Sequence, residues 1–250
     1  MKYRQIDNQL FKTNRERFVA QMKPNSMAIF LANDEMPRTG DSTHFFRQNP
    51  DLFYLSGVDQ EASMLILFPD SPVEKYKEVL FLKETNDYIK VWEGEKLTKE
   101  QGKEVSGIET VLWNDQFESV MASLMGNTRR CYLNTNENDR FNTAVPYKDI
   151  RFARECQERY PLHKYERSAP IMCDLRSIKS DIEIELTREA VDITNKAFHR
   201  IMRFVKPGVM EYEIEAEMMH EFLRNRATGY AYHPIVASGV DSCVLHYDKN

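Results

Sequence analysis

Hydrophobic and polar residues along the first half of the chain follow two different periods, one typical of strands and one typical of helices. Short apolar runs predict five buried strands, at residues 26–32, 62–68, 78–82, 110–113 and 129–134. Spacings of three and four predict helices at 14–22 and 115–125, and a charged helix follows the Trp-x-Gly stretch at 91–105. This alternation of strands and helices predicts an α/β fold.

The first predicted helix, at 14–22, has an amphipathic pattern. Phe18 and Met22 are expected on the side that faces the core, and Arg15 and Arg17 are expected to turn outward.

The pattern changes after residue 160. Residues 160–175 contain two prolines and little periodicity, so we expect a linker or a crossover there. Ser180 and Glu183 have the spacing of a capping box, which predicts a long helix at 180–205. Its apolar stripe consists of Ile182, Leu186, Ala190, Ile193, Ala197, Ile201 and Phe204.

Two further elements are predicted near the end of the chain. A helix at about 211–226 would place Ile214, Met218 and Phe222 inward and its glutamates outward. Residues 235–239 and 243–247 are expected to form the two strands of a hairpin. Because these last elements are too few to close a core of their own, we expect the stripe of the 180–205 helix to stay uncovered and to promote aggregation, dimerisation or disorder.

Composition narrows the class of protein. The chain has 250 residues, 42% hydrophobic and 29% charged, which suits one large globular domain or two smaller ones. A net charge of −5 argues against nucleic acid as the main partner. No apolar run reaches the roughly 20 residues of a membrane span, and the N-terminus has no secretory pattern. The four cysteines are scattered, as in reduced thiols, so we expect a cytoplasmic protein.

Histidines are the first candidates for chemistry. His246 lies at the end of an apolar run beside Tyr247, where an imidazole could pass a proton or bind a substrate. On spacing alone, a histidine satisfied by a backbone carbonyl is the favoured alternative. A metal pair of His233 and His246 lacks carboxylates at ligand spacing. His199 and His220 are expected on helix surfaces, and His44 and His163 are expected in loops without a partner.

The aromatic-rich run at 41–57 has a structural explanation, a loop and a strand pinned into the core. Because Arg47, Gln48 and Asn49 interrupt it together, a polar network at a turn is favoured over a surface for stacking bases. The sequence contains no phosphate-binding glycine loop and no G-x-S-x-G elbow, so it gives no support to a serine hydrolase.

Several longer stretches resemble one known family in the correct order. "RTGDSTHFFRQNPDLFYLSGVDQEASMLILFPD" at 38–70 and "VWEGEKLT" at 91–98 resemble the N-terminal domain of aminopeptidase P. "LRSIKSDIEIELTREA" at 175–190, "KPGVMEYEIEAEM" at 206–218 and "YHPIVASGVDSCVLHYDKN" at 232–250 resemble the opening of its pita-bread catalytic domain. The resemblance implies an N-terminal α/β domain at 1–174 and the first part of an α+β pita-bread domain at 175–250.

The family implies an activity, a substrate and a cofactor. Its members release an N-terminal residue that precedes proline, using two bridged divalent ions, usually manganese, which activate a hydroxide. The five metal ligands of the family lie after the His-Tyr-x-x-Asn segment. The resemblance therefore implies that residues 1–250 contain no metal ligand, bind no manganese tightly and are inactive alone.

Three site residues carry over by their match to the family's motifs. His246 matches the histidine beside the metal centre that hydrogen-bonds substrate or tetrahedral intermediate, so the resemblance favours a functional role for it. Tyr232 matches a tyrosine of the substrate pocket. Asp41 matches an aspartate that reaches a neighbouring subunit's active site in oligomeric relatives, which implies a homo-oligomer. His233 and Pro234 depart from the small polar residues that are commoner there.

Other functions stay open at this point. A prolidase-like dipeptidase differs mainly in accepting dipeptides alone, and creatinase shares the fold without metals, although its substrate pocket is not recognisable here. A non-catalytic pita-bread module that binds peptides or histones belongs to a different class. An Asp-x10-Asp pair after residue 250, followed by His, Glu and Glu, would favour the enzyme. The absence of this pattern would favour the binding module.

Overall fold

A computed structural model describes residues 3–138, 140 and 143–250 of the chain. The chain divides into two compact units. One unit contains residues 6–178, and the other contains the N-terminal residues up to Gln5 together with residues 179–250. Among the described residues, no helix has the length and apolarity needed to span a bilayer.

The 6–178 unit is built on one mixed sheet. Its strands are β1 (Ser26–Leu31), β4 (Met64–Leu67), β5 (Glu78–Leu82), β6 (Thr110–Trp113), β7 (Arg130–Leu133) and β8 (Lys164–Arg167); β2 (Pro37–Thr39) and β3 (Ser42–Thr43) form a separate hairpin. The strand order in the sheet is β6-β5-β4-β1-β7-β8. Only β4 pairs antiparallel, with β1 and β5; the other pairs are parallel.

Helices cover both faces of this sheet. They are α1 (Gln9–Val19), α2 (Pro50–Ser56), α4 (Lys99–Ser106), α5 (Phe117–Met125), α6 (Lys148–Arg159) and α7 (Ala169–Ser177), whereas α3 (Asp87–Glu93) has no buried residue. Alternate residues of β1 enter two separate cores, because side chains of a strand point to opposite faces. Phe30 packs in the core with residues of α1, α2, α4 and α7, and Ile29 packs with residues of α5 and α6. The predicted α/β class is confirmed.

Arg15 departs from its prediction. Its side chain is fully buried instead of turned outward. Its Nη1 donates to the carbonyls of Leu55, at 2.8 Å, and Ser106, at 2.9 Å, and its Nε donates to Glu78 Oε2 at 3.0 Å. These carbonyls lie at the C-terminal ends of α2 and α4, where the last turn of a helix has no intrahelical donor. Amphipathic periodicity could not reveal this, because the need for a donor arises only once the helix ends are buried.

A polar network around residues 47–63 fixes the chain before and after α2. Gln48 Nε2 donates to the carbonyls of Val58, at 3.1 Å, and Gln60, at 2.9 Å, while its Oε1 accepts from the Asn49 amide. Asn49 caps α2 with its side chain. The predicted polar network is confirmed, but residues 50–56 form a helix instead of a strand. Gly57 then ends α2 with a φ of 69°, and an added Cβ would lie 2.2 Å from the Phe11 ring.

Two other predictions for this unit are wrong. Residues 160–175 do not form a linker, since they contain edge strand β8 and most of α7. "KYER" has no apolar run, and it pairs as a strand because β7 offers a parallel edge. His163 has a partner after all: its Nε2 lies 2.9 Å from the Met125 carbonyl.

The other unit consists of α8 (Asp181–Phe204), α9 (Glu211–Arg224) and the segment that follows α9. The capping box is confirmed: the Glu183 amide donates to Ser180 Oγ, and Glu183 Oε2 accepts from the Ser180 amide. Helices α8 and α9 pack together, with Ala197 fully buried. The predicted stripe is only partly covered, and a second apolar row is exposed on α8, formed by Ile184, Val191, Phe198, Met202 and Val205.

The hairpin predicted at 235–239 and 243–247 is wrong. The structure has a 3-10 turn at Gly239–Cys243 and no strand in residues 179–250. A strand needs a neighbouring edge to pair its backbone groups, and these residues offer none to each other. The segment instead hydrogen-bonds to side chains of α9.

Replacing Arg15 tests its role in holding α2 and α4. We expect Arg15→Met to lower the free energy of unfolding by about 3–5 kcal/mol, because it leaves two buried carbonyls unpaired and removes the partner of Glu78. Both tryptophans, Trp92 and Trp113, lie in the 6–178 unit, so urea unfolding followed by tryptophan fluorescence reports on this unit. Arg17→Met on the same helix should change stability by less than about 0.5 kcal/mol. Equal effects of the two substitutions would contradict this role.

Asp149 gives the 6–178 unit a pH-dependent stability. Its buried carboxylate accepts from Asn49 Nδ2 at 3.1 Å. Burial, followed by the nearby charge of Asp51, raises the pKa of Asp149 from 3.8 to about 7. Because the folded state holds this proton more tightly than the unfolded chain, the contribution of Asp149 falls as pH rises between about 4 and 7.

Asp149→Asn removes this titration and keeps an oxygen for Asn49. We therefore expect the variant's stability, relative to the original chain, to rise from pH 4 to 7 and to level off above it. Urea unfolding at several pH values measures the difference. A difference that does not change with pH would show that Asp149 is not held protonated.

Candidate functional site

The segment after α9 is fixed by glutamates one helical turn apart. Glu211 Oε1 accepts hydrogen bonds from the Ser238 amide, at 2.5 Å, and from Ser238 Oγ, at 3.0 Å. Its other oxygen, Oε2, accepts from the Tyr247 hydroxyl at 2.8 Å. One carboxylate therefore ties both ends of the 238–247 loop to the first turn of α9.

Asn250 forms the second tie. Its Nδ2 donates to Glu215 Oε2 at 2.9 Å and to the Pro234 carbonyl at 3.1 Å, and its Oδ1 accepts from the Val236 amide at 3.0 Å. The two polar groups of the Asn250 side chain thus make three hydrogen bonds within this segment and α9. The 234–236 backbone is held beside residue 250 without any strand pairing.

The start of the segment, at Tyr230, packs against Phe222 in the C-terminal half of α9. The Tyr230 ring lies edge-on to Phe222, with centroids 5.3 Å apart, and its hydroxyl donates to the Glu215 carbonyl at 2.7 Å. Burial raises the pKa of Tyr230 to about 12.

Electrostatics keep the Tyr247–Glu211 contact in one protonation state near neutral pH. The hydrogen bond to Glu211 raises the pKa of Tyr247 to about 12, and the same bond is the main cause that lowers the pKa of Glu211. The tyrosine therefore stays a donor and the glutamate stays an acceptor.

The structure places two of the predicted site residues in this segment. His246 follows the 3-10 turn and directly precedes Tyr247, and its side chain is exposed. Tyr232 is 78% exposed and lies two residues after Tyr230. Neither side chain makes a hydrogen bond with the described residues, and both are exposed.

Asp41 lies in the other unit. It follows Gly40, which has a φ of 57°, in the turn of the β2–β3 hairpin, and it is exposed. Phe45, just after this hairpin, is fully exposed. His199 and His220 are exposed on α8 and α9, as predicted.

A divalent metal centre needs several converging oxygen or nitrogen ligands. Within residues 3–138, 140 and 143–250, no group of three or more His, Cys, Asp and Glu side chains could hold a metal ion. These residues by themselves therefore do not supply a two-metal site.

Sequence reasoning missed the glutamates that organise the segment. The pattern placed the α9 glutamates outward, yet Glu211, Glu215, Glu217 and Glu221 are half-buried and bonded. A signal was present: Glu211 and Glu215 share a face with Met218 and Phe222, since residues three and four apart are neighbours on a helix.

Comparison with known proteins gives two family matches. Residues 11–132 match the model for the aminopeptidase P N-terminal domain, and residues 185–250 match the model for metallopeptidase family M24. The chain is 30% identical over 240 residues to a Xaa-Pro aminopeptidase of Haemophilus influenzae, a match that covers 96% of the chain and 53% of that protein. It is 28% identical to the Xaa-Pro aminopeptidase of Escherichia coli, a match that covers 98% of the chain and 56% of that protein.

Solved structures agree with these matches. Aminopeptidase PepP of Pseudomonas aeruginosa superposes with a TM-score of 0.85 at 27% identity, over 98% of this chain and 55% of that one. A zinc-substituted E. coli aminopeptidase P in complex with product gives a TM-score of 0.82 at 28% identity, over 98% and 56%. The chain spans about half the length of the relatives it matches.

Removing the Tyr247 hydroxyl tests whether Glu211 holds the segment. We expect Tyr247→Phe to increase hydrogen exchange of the 232–250 backbone several-fold, because the variant loses the hydrogen bond that holds this segment to Glu211. Tyr212→Phe on α9 is the matched control, because Tyr212 is exposed and makes no hydrogen bond with the described residues. Unchanged exchange in Tyr247→Phe would mean that the segment is held by other contacts.

Proposed function

Because this chain belongs to the aminopeptidase P family, we propose that it is part of a metal-dependent Xaa-Pro aminopeptidase, which releases the N-terminal residue of a peptide whose second residue is proline. The observation that carries the proposal is the order of the matches: the aminopeptidase P N-terminal domain is followed, in one chain, by the beginning of an M24 metallopeptidase domain. The resemblance found in the sequence and its α/β-then-pita-bread fold class agree with both matches.

The proposal also includes a boundary between the two domains and a metal cofactor. We place the N-terminal domain at 1–174 and the opening of the catalytic domain at 175–250. The M24 family implies divalent ions, and two manganese ions are our choice. Since the described residues form no metal cluster, the ligands would have to come from other residues of the whole protein.

His246 and Tyr232 are the proposed contributions of this segment to the site. The exposed imidazole of His246 could donate a hydrogen bond to the substrate carbonyl oxygen, and general acid–base groups of this kind contribute about 10²–10⁴-fold. Glu211 would act through Tyr247 as a positioning residue, because it holds the residue next to His246. Tyr232 would line the substrate pocket, and Asp41 would reach a neighbouring subunit in a homo-oligomer.

A cytoplasmic location and a peptide as the principal partner complete the proposal, without a nucleic acid or a membrane as partner. The scattered cysteines support the location; Cys131 and Cys156 are buried and unpaired.

The whole protein, assayed on a proline-containing peptide, tests this function. We expect release of the first residue that stops when a chelator is added and returns with manganese. We expect His246→Ala to lower kcat about 10²–10⁴-fold, whereas His220→Ala on the surface of α9 should leave kcat unchanged. Residues 1–250 alone should neither cleave the peptide nor bind manganese tightly.

Other results would assign other functions. Cleavage of dipeptides alone would indicate a prolidase-like enzyme, and peptide binding without release would indicate a non-catalytic module. Activity that persists in the chelator, or cleavage by residues 1–250 alone, would overturn the proposal.

A further inference from the structure

A basic crease runs between α8 and α9. It is an open groove of about 670 Å³, and its cationic residues on the α8 side are Lys196, Arg200 and Arg203. These residues are spaced four and three apart, so they form one row along the helix. Facing residues of α9 follow the same spacing, namely Glu217, Glu221 and Arg224.

The two carboxylates of the crease are already engaged. Arg200 donates through Nε to Glu217, and its Nη1 lies 3.6 Å from Glu221. Both glutamates are largely shielded, with 27% and 13% of their side chains exposed. Glu221 Oε1 also accepts a hydrogen bond from Asn225 Nδ2 at 2.7 Å, so both carboxylates already have partners.

The other three cations of the crease have no carboxylate partner in the described part of the chain. Lys196 Nζ donates to a neutral group, Asn225 Oδ1, at 3.1 Å. Arg203 and Arg224 make neither a hydrogen bond nor an ion pair with any described residue. Four cations against two carboxylates give this crease a local charge of +2, although the whole chain has a net charge of −5. A groove with an excess of positive charge raises the local concentration of anions, even on a protein whose net charge is negative.

We propose that the α8–α9 crease binds a small multivalent anion that carries phosphate or carboxylate groups. The volume of about 670 Å³ lies within the range of small-molecule sites. Two guanidinium forks and one ammonium can engage several anionic oxygens at once, with charge-assisted hydrogen bonds. The site is built from α8 and α9 alone, so the proposal does not rest on peptidase activity.

Titration of the 250-residue chain with inorganic pyrophosphate, followed by calorimetry at low ionic strength, tests the site. We expect saturable binding that weakens about tenfold or more in the Arg203→Gln/Arg224→Gln double variant, since each charge-assisted bond contributes well over a factor of ten. Lys196→Gln alone should weaken it less than the double variant does. Arg188→Gln is the control for the loss of a single charge: it removes one positive charge from an exposed position of α8 outside the crease, and should change affinity less than about twofold.

Citrate distinguishes the two anion sources. Binding of pyrophosphate but not citrate would indicate a phosphate-bearing ligand, and the reverse would indicate a polycarboxylate; either result supports the site. Circular dichroism of each variant checks that the helices remain formed. The proposal is overturned by the absence of saturable binding of both anions, or by equal losses in Arg188→Gln and the double variant, which would indicate a diffuse field.

Discussion

The structure of the 6–178 unit depends on satisfying buried carbonyl groups where helices end. Helices α2 and α4 both end against α1, and a helix end that is removed from water needs donors for its last carbonyls. Arg15 supplies them from one side chain, which reaches both ends at once. A single donor group thus joins three helices that are distant in sequence, and burial lowers its pKa as the cost of that position.

Around α9 the donors, and not the acceptors, are the groups that need partners. There the segment after the helix forms only a 3-10 turn at Gly239–Cys243, so other amide and hydroxyl donors of the segment need acceptors. Glu211 and Glu215 provide them from successive turns. A helix surface that looks merely acidic in the sequence is therefore the frame for Tyr232 and His246. The chemistry proposed for His246 relies on this frame, because an imidazole contributes only when its position is fixed.

Helix α8 illustrates how one element can serve several surfaces. Its first apolar row packs towards α9, a second apolar row is exposed, and its basic row lines the crease. A helix that is apolar on more than one side is expected where it is enclosed by several neighbours. The exposed row of Phe198 and Met202 consequently marks a face suited to further packing, whereas the crease is polar enough to remain in water.

The α/β class, five of the six strands of the sheet, the capping box at Ser180 and the family motifs all followed from the sequence, because periodicity, caps and short motifs are local properties of the chain. Tertiary structure decided the rest. It buried Arg15, made a strand of "KYER", and replaced the expected hairpin by a loop bonded to Glu211 and Glu215. In each of these cases the deciding factor was a partner far away in sequence, whether a helix end, a sheet edge or a carboxylate, and a local pattern does not specify which distant group becomes the partner.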